Sequence, residues 1–251
     1  MSVAVGQRET VEALLERSGR DAVPIRRAFV QAPTRGGGPG PLAMFVKQRR
    51  GRTLDQYLLL HAVASAPPFD ARFAAAVWAR ALGMDQASAD SAISKSWAWL
   101  EDQHLVASRR RGRLREVTLL REDGSGQPYG HPGEQGAETR GHYFKLPHDY
   151  WNGNFPNRMS LPGKAVLLIA LSLRADFVLP TERGARWYGL SRDTVRKGLR
   201  ELRLLGLLEM REVSRPAPLE GLGYTTERHY TLRPPFGQLT KPGKTSTGST
   251  E

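Results

Sequence analysis

The 251 residues predict an α+β fold, mainly α with small β-hairpins, built as two tandem units of one design. Three observations predict it. Residues 181–233 read as helix, tight turn, helix and two-stranded ribbon. The apolar spacing of residues 54–120 repeats that order. The stretches between are rich in Gly and Pro, as connecting segments are.

The second unit carries the stronger signal. Phe177, Val178 and Leu179 make a short apolar strand that stops at Pro180. A helix over 182–188 follows. Gly189 then permits a tight turn, because glycine takes positive φ without a Cβ clash. Ser191 is a natural N-cap for a second helix over 192–202. On that helix Val195, Leu199 and Leu202 stand at i, i+4 and i+7, one apolar stripe. At 100° per residue Asp193, Lys197 and Arg200 lie opposite, with Arg196 beside them. Gly206 ends the helix, and 207–213 alternates as a strand. Residues 214–223 are rich in Pro and Gly, and 225–232 return as the second strand. The whole reads as a winged helix-turn-helix, a unit whose second helix enters the major groove of DNA.

The first unit repeats the pattern weakly. A helix is expected over 54–63 and another over 72–82, the latter capped by Asp70. Gly83 and Met84 match Gly189 and Leu190 as the turn. Ile93, Trp97, Leu100, Leu105 and Val106 precede Val195, Leu199, Leu202, Leu207 and Leu208 by a constant 102 residues. The turn glycines are 106 apart, so the first copy has about one extra helical turn before its stripe. Its second helix exposes Ser88, Ser91, Ser94 and Lys95, a thin cationic face. Its charge lies in the hairpin behind, at Arg109, Arg110, Arg111, Arg113 and Arg115 around Gly112.

These two units set the expected boundaries. Residues 1–41 form an N-terminal segment with one short helix at 9–17 and a flexible break at Gly36–Pro41. Residues 42–120 are the first winged-helix domain and 121–141 a linker. Residues 142–236 are the second domain and 237–251 a disordered tail. Trp151 and Phe155 are expected in the core, and Trp97 and Trp99 in the core or at an interface, rather than stacked on bases.

Formal net charge is +12. Such an excess suits a polyanion, nucleic acid before an anionic membrane surface. The chain has no cysteine, which excludes disulfides, Cys-zinc sites and thiol chemistry. No stretch approaches 18 apolar residues, so no membrane span is expected, and the start lacks a secretion signal. A cytoplasmic, nucleoid-associated protein of a GC-rich bacterium is the expectation. His142 and His148 fit no metal spacing. Gly163-Lys164 lacks the rest of a phosphate loop. Neither a metal, nor a cofactor, nor an enzyme activity is expected.

The run from Trp187 to Leu199, with Glu201, Leu202 and the Leu205-Gly206-Leu207-Leu208 stretch, resembles bacterial winged-helix regulators. Two such units in tandem are also similar to plasmid replication initiators. The resemblance implies sequence-specific binding of double-stranded DNA, by a transcriptional regulator or alternatively by a replication initiator of a plasmid or integrated element. A third reading is an interaction or architectural module that holds DNA nonspecifically. Candidate base-reading residues are Arg192, Thr194, Arg196, Lys197 and Arg200. Candidate backbone or minor-groove residues are Ser91, Lys95, Arg109, Arg110, Arg111, Arg113, Arg115, Arg211, Arg215 and Arg228. A homodimer is a candidate assembly, and no residue pattern points to a small-molecule effector.

Overall fold

Chain order sets out one pattern twice in the computed structural model, which describes residues 5–33, 38–112, 114–133, 142–179, 184–219 and 221–237. The expected tail and Arg113 lie outside the described residues, apart from Gly237. Val11, Leu14 and Leu15 give the first helix, α1 (Gln7–Glu16), a buried stripe. That stripe settles α1 on the first unit, where Gln7 Nε2 donates to the Ala81 carbonyl at 3.0 Å and Arg80 Nε to Thr10 Oγ1 at 2.8 Å. Strand β1 (Ala22–Arg26) follows, then a 3-10 turn at Arg27–Phe29 and helix α2 (Leu42–Lys47).

The first unit proper runs α3 (Gly51–Val63), β2 (Asp70–Phe73), α4 (Ala75–Ala81), α5 (Gln86–Asp102), β3 (Val106–Arg111) and β4 (Leu114–Leu119). Its sheet has the order β2-β4-β3, antiparallel throughout. The expected helix at 72–82 begins later, because Asp70–Phe73 pairs with β4, Asp70 opposite Thr118. Asp70 therefore opens a strand and caps nothing; Ala74 is the N-cap of α4. Helix α5 has 17 residues, and its counterpart in the second unit has 13. The difference is the extra turn that the unequal spacings predict.

The second unit begins with β5 (Tyr143–Pro147), α6 (Asp149–Asn152) and α7 (Phe155–Arg158). It continues as α8 (Leu161–Ser172), β6 (Phe177–Val178), α9 (Gly184–Tyr188), α10 (Arg192–Leu204), β7 (Leu208–Pro216) and β8 (Tyr224–Leu232). The sheet order β6-β8-β7 reproduces that of the first unit. Helix α8 is apolar nearly all round, as a central helix must be, and Ala165 to Ala170 are all at most 2% exposed. The overall class is thus mixed α+β with small sheets.

One hydrophobic cluster runs through both units. Trp97, Trp99, Trp151 and Phe155 all belong to it, as expected from sequence. Two buried ion pairs join distant segments. Lys164 Nζ on α8 lies 2.6 Å from Asp55 Oδ2 on α3, and Tyr150 donates to the other Asp55 oxygen at 3.0 Å. Arg26 on β1 holds the fully buried Glu122 through its guanidinium at 2.7 Å and its backbone N–H at 3.1 Å.

Two expected loose segments are tied down where they are described. Strand β1 pairs along its length with β5, so residues 22–26 share a ribbon with the second unit. Gly40 donates to the Val30 carbonyl, and Ala32 donates to that of Gly38 at 2.8 Å. These bonds hold residues 38–41 against the chain, where a flexible break is expected from the Gly-Pro run. Glu122 and Tyr129 anchor the start of the expected linker: Tyr129 stacks edge-on to Phe69 and His61.

Candidate nucleic-acid interface

Helix α10 is positioned by local chemistry that the sequence spells out. Gly189 has φ +65°. Ser191 Oγ accepts from the Thr194 backbone N–H at 3.1 Å, the N-cap bond. Val195, Gly198, Leu199 and Leu202 are buried. Gly198 allows a close approach to α8, where a Cβ would stand 2.5 Å from the Pro162 carbonyl oxygen. Glu201 points inward to the N-terminus of α8, where its carboxylate accepts from both the backbone N–H and the hydroxyl of Ser160. A carboxylate there also meets the positive end of the helix dipole.

The outer face of α10 carries the candidate base readers. Arg196 and Lys197 are 74% and 66% exposed in their side chains. Arg192 and Arg200 are exposed too. Asp193 sits among them, 2.8 Å from Lys197 Nζ and 2.9 Å from Arg196 Nη2. Hydrogen bonds from Lys197 and then Arg196 hold its carboxyl below the usual carboxylate range. Thr194 is half-buried, with its hydroxyl 2.9 Å from that of Ser191. Its side chain belongs to the cap more than to the open face. Arg203, one turn beyond Arg200 and exposed, extends the cationic flank. The sequence carried that signal, since Arg203 is seven residues after Arg196.

The hairpin of the second unit is a different surface. Arg211 makes two hydrogen bonds to Asp176, at 3.1 and 2.6 Å. Arg228 pairs with Glu212 at 3.1 Å and Arg215 with Glu227 at 3.2 Å. Every one of its three candidate cations therefore lies against a carboxylate. Residues 208–232 contain three Arg and four Glu, a net of −1. Over 192–204 the corresponding counts are five cations and two acids, a net of +3.

The first unit reverses this balance. Over 86–102 Lys95 is the one cation against Asp90, Glu101 and Asp102. Ser91 and Lys95 are exposed on α5. The hairpin residues 106–119 carry five Arg and one Glu. That Glu116 is nearly buried and clamps both Arg109, at 2.5 Å, and Arg111, at 3.0 Å. Arg115 lies 3.1 Å from Ser108 Oγ on β3 and reaches back to α5, 3.5 Å from Ser94 Oγ and 3.7 Å from Glu101. Hairpin and helix face thus adjoin. Arg110 is exposed at the hairpin end. Arg113 lies outside the described residues.

No protein-family model matches this chain, and no curated protein matches it either.

No group of three His, Cys, Asp or Glu side chains among the described residues is placed to hold a metal ion. No helix among them is long and apolar enough to cross a membrane. His61 is fully buried, and burial, with the nearby Arg26 charge second, lowers its pKa to about 3. Its imidazole is neutral and belongs to the core.

Proposed function

We propose that this protein binds double-stranded DNA in a sequence-specific manner through α10, as a bacterial transcriptional regulator. Both units are read as winged helices. The observation that carries the proposal is the division of α10 into two faces. One face packs on α8 through Val195, Gly198, Leu199 and Leu202, and the other presents Arg196, Lys197, Arg200 and Arg203 to solvent. The Gly turn before it, the Ser191 cap and the β6-β8-β7 sheet behind it supply what a groove-reading helix needs: a rigid mount. The charge distribution gives the units different duties. The first grips phosphates with the hairpin around Arg110; the second reads base edges with α10.

A second reading, a replication initiator, draws on the link between the units. The buried Asp55–Lys164 pair and the β1–β5 ribbon hold both units in one body. A fixed pair of contact elements suits a composite site of set spacing.

The test is selection of genomic fragments by the purified protein at near-physiological salt, followed by sequencing. Sharp enrichment at promoters supports the regulator, and a cluster of direct repeats supports the initiator. Flat recovery refutes base reading and leaves an interaction module. On the enriched site, Arg196→Ala or Lys197→Ala should cost about 1–3 kcal/mol and relax the preference at one position. An equal loss on random duplex would reassign the residue to phosphate contact.

A further inference from the structure

We propose that the corner between α2 and α3, residues 47–52, grips the phosphate backbone of duplex DNA bound at α10, as a further contact between the two units. The inference rests on the DNA reading above and concerns residues to which that reading gives no task. Lys47, Arg49, Arg50 and Arg52 put four cations in six residues with no acid between them. Lys47, Arg49 and Arg52 are exposed, and Arg50 is half-buried. Among the described residues none of the four lies within ion-pair distance of a carboxylate; Asp55, the nearest acid in sequence, is buried against Lys164. The β7–β8 hairpin differs, since its Arg211, Arg215 and Arg228 are each held by a carboxylate. Crowded like charges without a counter-charge repel one another and favour a polyanion that neutralises them together.

Local bonds hold the corner in one shape. The backbone N–H groups of Arg49 and Arg50 donate to the Val46 and Phe45 carbonyls at 3.1 and 2.8 Å. Arg49 turns the chain in the left-handed region, at φ +56°. Trp99 of α5 donates its ring N–H to Gln48 at 2.7 Å, and the Arg50 guanidinium lies 5.6 Å from the centre of a Trp99 ring. Solvated charge needs no such mount, whereas a phosphate contact gains from one, because less freedom is lost on binding. Helix α3 starts inside the cluster with no acid in its first turn, so its dipole adds to the positive field. Placement points to DNA. On one side Thr53 Oγ1 lies 3.1 Å from Ser96 Oγ of α5. On the other, Gly51 faces the start of α8, where a Cβ would stand 3.8 Å from that of Leu161. That end of α8 carries Ser160 and Pro162, against which Glu201 and Gly198 of α10 pack. Helix α2 itself begins beside the α9–α10 turn, where a Cβ on Gly189 would stand 2.7 Å from that of Ala43. The corner therefore lies between α10 and α5, on the path of a duplex that spans both units.

The test needs no target site. Binding of the full chain to a random-sequence duplex of about 30 base pairs, by fluorescence anisotropy over about 50–300 mM salt, gives the slope of log affinity against log salt. Arg49→Asn with Arg52→Gln, where asparagine tolerates the left-handed turn, should flatten that slope by about 1.8, which is about 0.9 for each phosphate released. Lys47→Gln with Arg52→Gln, which leaves the turn untouched, should give the same change. Arg20→Gln with Lys145→Gln removes equal charge from two other exposed positions and should leave the slope as it was. Ser65, beyond the C-terminus of α3, donates to the Ser18 carbonyl at 3.2 Å, so Arg20 lies about 20 Å from the corner, at the far end of α3. An unchanged slope in both corner variants overturns the proposal, as does equal flattening in the control. Loss of binding to phosphatidylserine vesicles with the duplex slope unaltered would give the corner to a membrane surface, and overturns it too. A slope flattened by the corner variants, with base preference indifferent to Arg196→Ala and Lys197→Ala, would strike the α10 reading alone. A parent that binds no duplex overturns both.

Discussion

Replacing Gly198 by alanine sets two ordinary effects against each other, and the structure decides the sign. Glycine inside a helix is unfavourable, so Gly198→Ala should gain about 0.8–1 kcal/mol by helix propensity alone. The new Cβ, however, would fall within overlap distance of Val166 Cγ2 and 2.5 Å from the Pro162 carbonyl oxygen. The Val166 side chain is fully buried and cannot swing into solvent. The carbonyl belongs to the first turn of α8 and cannot rotate. Overpacking of this kind costs about 1–3 kcal/mol, and two rigid obstacles put it at the upper end. The net expectation is a loss of about 2 kcal/mol. For a chain of this size that lowers Tm by roughly 4–8 °C. Thermal and urea denaturation followed by circular dichroism would measure it. In a Val166→Ala background the penalty should shrink but not vanish, because the Pro162 oxygen remains. A Tm equal to or above that of the parent would refute the close α8–α10 approach.

Three further outcomes are expected. Lys164→Met should destabilise by about 3–5 kcal/mol in urea titration, since it leaves the buried Asp55 carboxylate with Tyr150 alone; a loss below about 1 kcal/mol would mean that water reaches Asp55. The folded-state pKa of His61 is depressed from 6.5 to about 3, so its contribution to stability is present above pH 6.5 and is lost as pH falls toward 3. Comparing urea midpoints of the parent and His61→Leu between pH 4 and 6 should give a parent slope steeper by up to about 1.4 kcal/mol per pH unit, and parallel slopes would show His61 protonated in the fold. Neutralising Arg109, Arg110, Arg111 and Arg113 together should weaken binding to all duplexes and flatten the salt slope by about 0.9 for each phosphate no longer neutralised. With Glu116 already holding Arg109 and Arg111, Arg110→Ala alone should account for much of that change, and an unaltered slope would remove this hairpin from the interface.

The sequence discloses local structure well and long-range pairing poorly. The Gly189 turn, the Ser191 cap, the buried stripe of α10 and the Gly206 stop, at φ +73°, all follow from nearest neighbours. Even the extra turn of α5 follows from comparing two spacings. Strand β2 was not legible, because four residues, although they alternate polar and apolar, are too few to tell a strand from the start of a helix. Its pairing with β4, more than forty residues on, decides the matter. The same holds for Glu122. In a Gly- and Pro-rich stretch it looks like solvated charge, and only the fold brings it to Arg26, 96 residues earlier. At the candidate interface, the cationic residues were visible by type and face. The carboxylates that hold them were not, because Asp176 lies 35 residues from Arg211 and Glu116 meets Arg109 only across a strand register.

The pairing of β1 with β5 bears on how the chain comes off the ribosome. Ala22 finds Pro147 and Arg26 finds Tyr143, so the first strand has no partner until more than a hundred further residues have been made. Until Glu122 emerges, the guanidinium destined for burial on β1 must stay in water. Folding of the first unit is therefore not finished when its own last strand is complete. At about 5–20 residues per second, the N-terminal strand waits several seconds for its mate. A chain stopped after β4 would present an unpaired strand edge and an orphaned arginine, and would fall to chaperones or proteases before it could act as a half-protein.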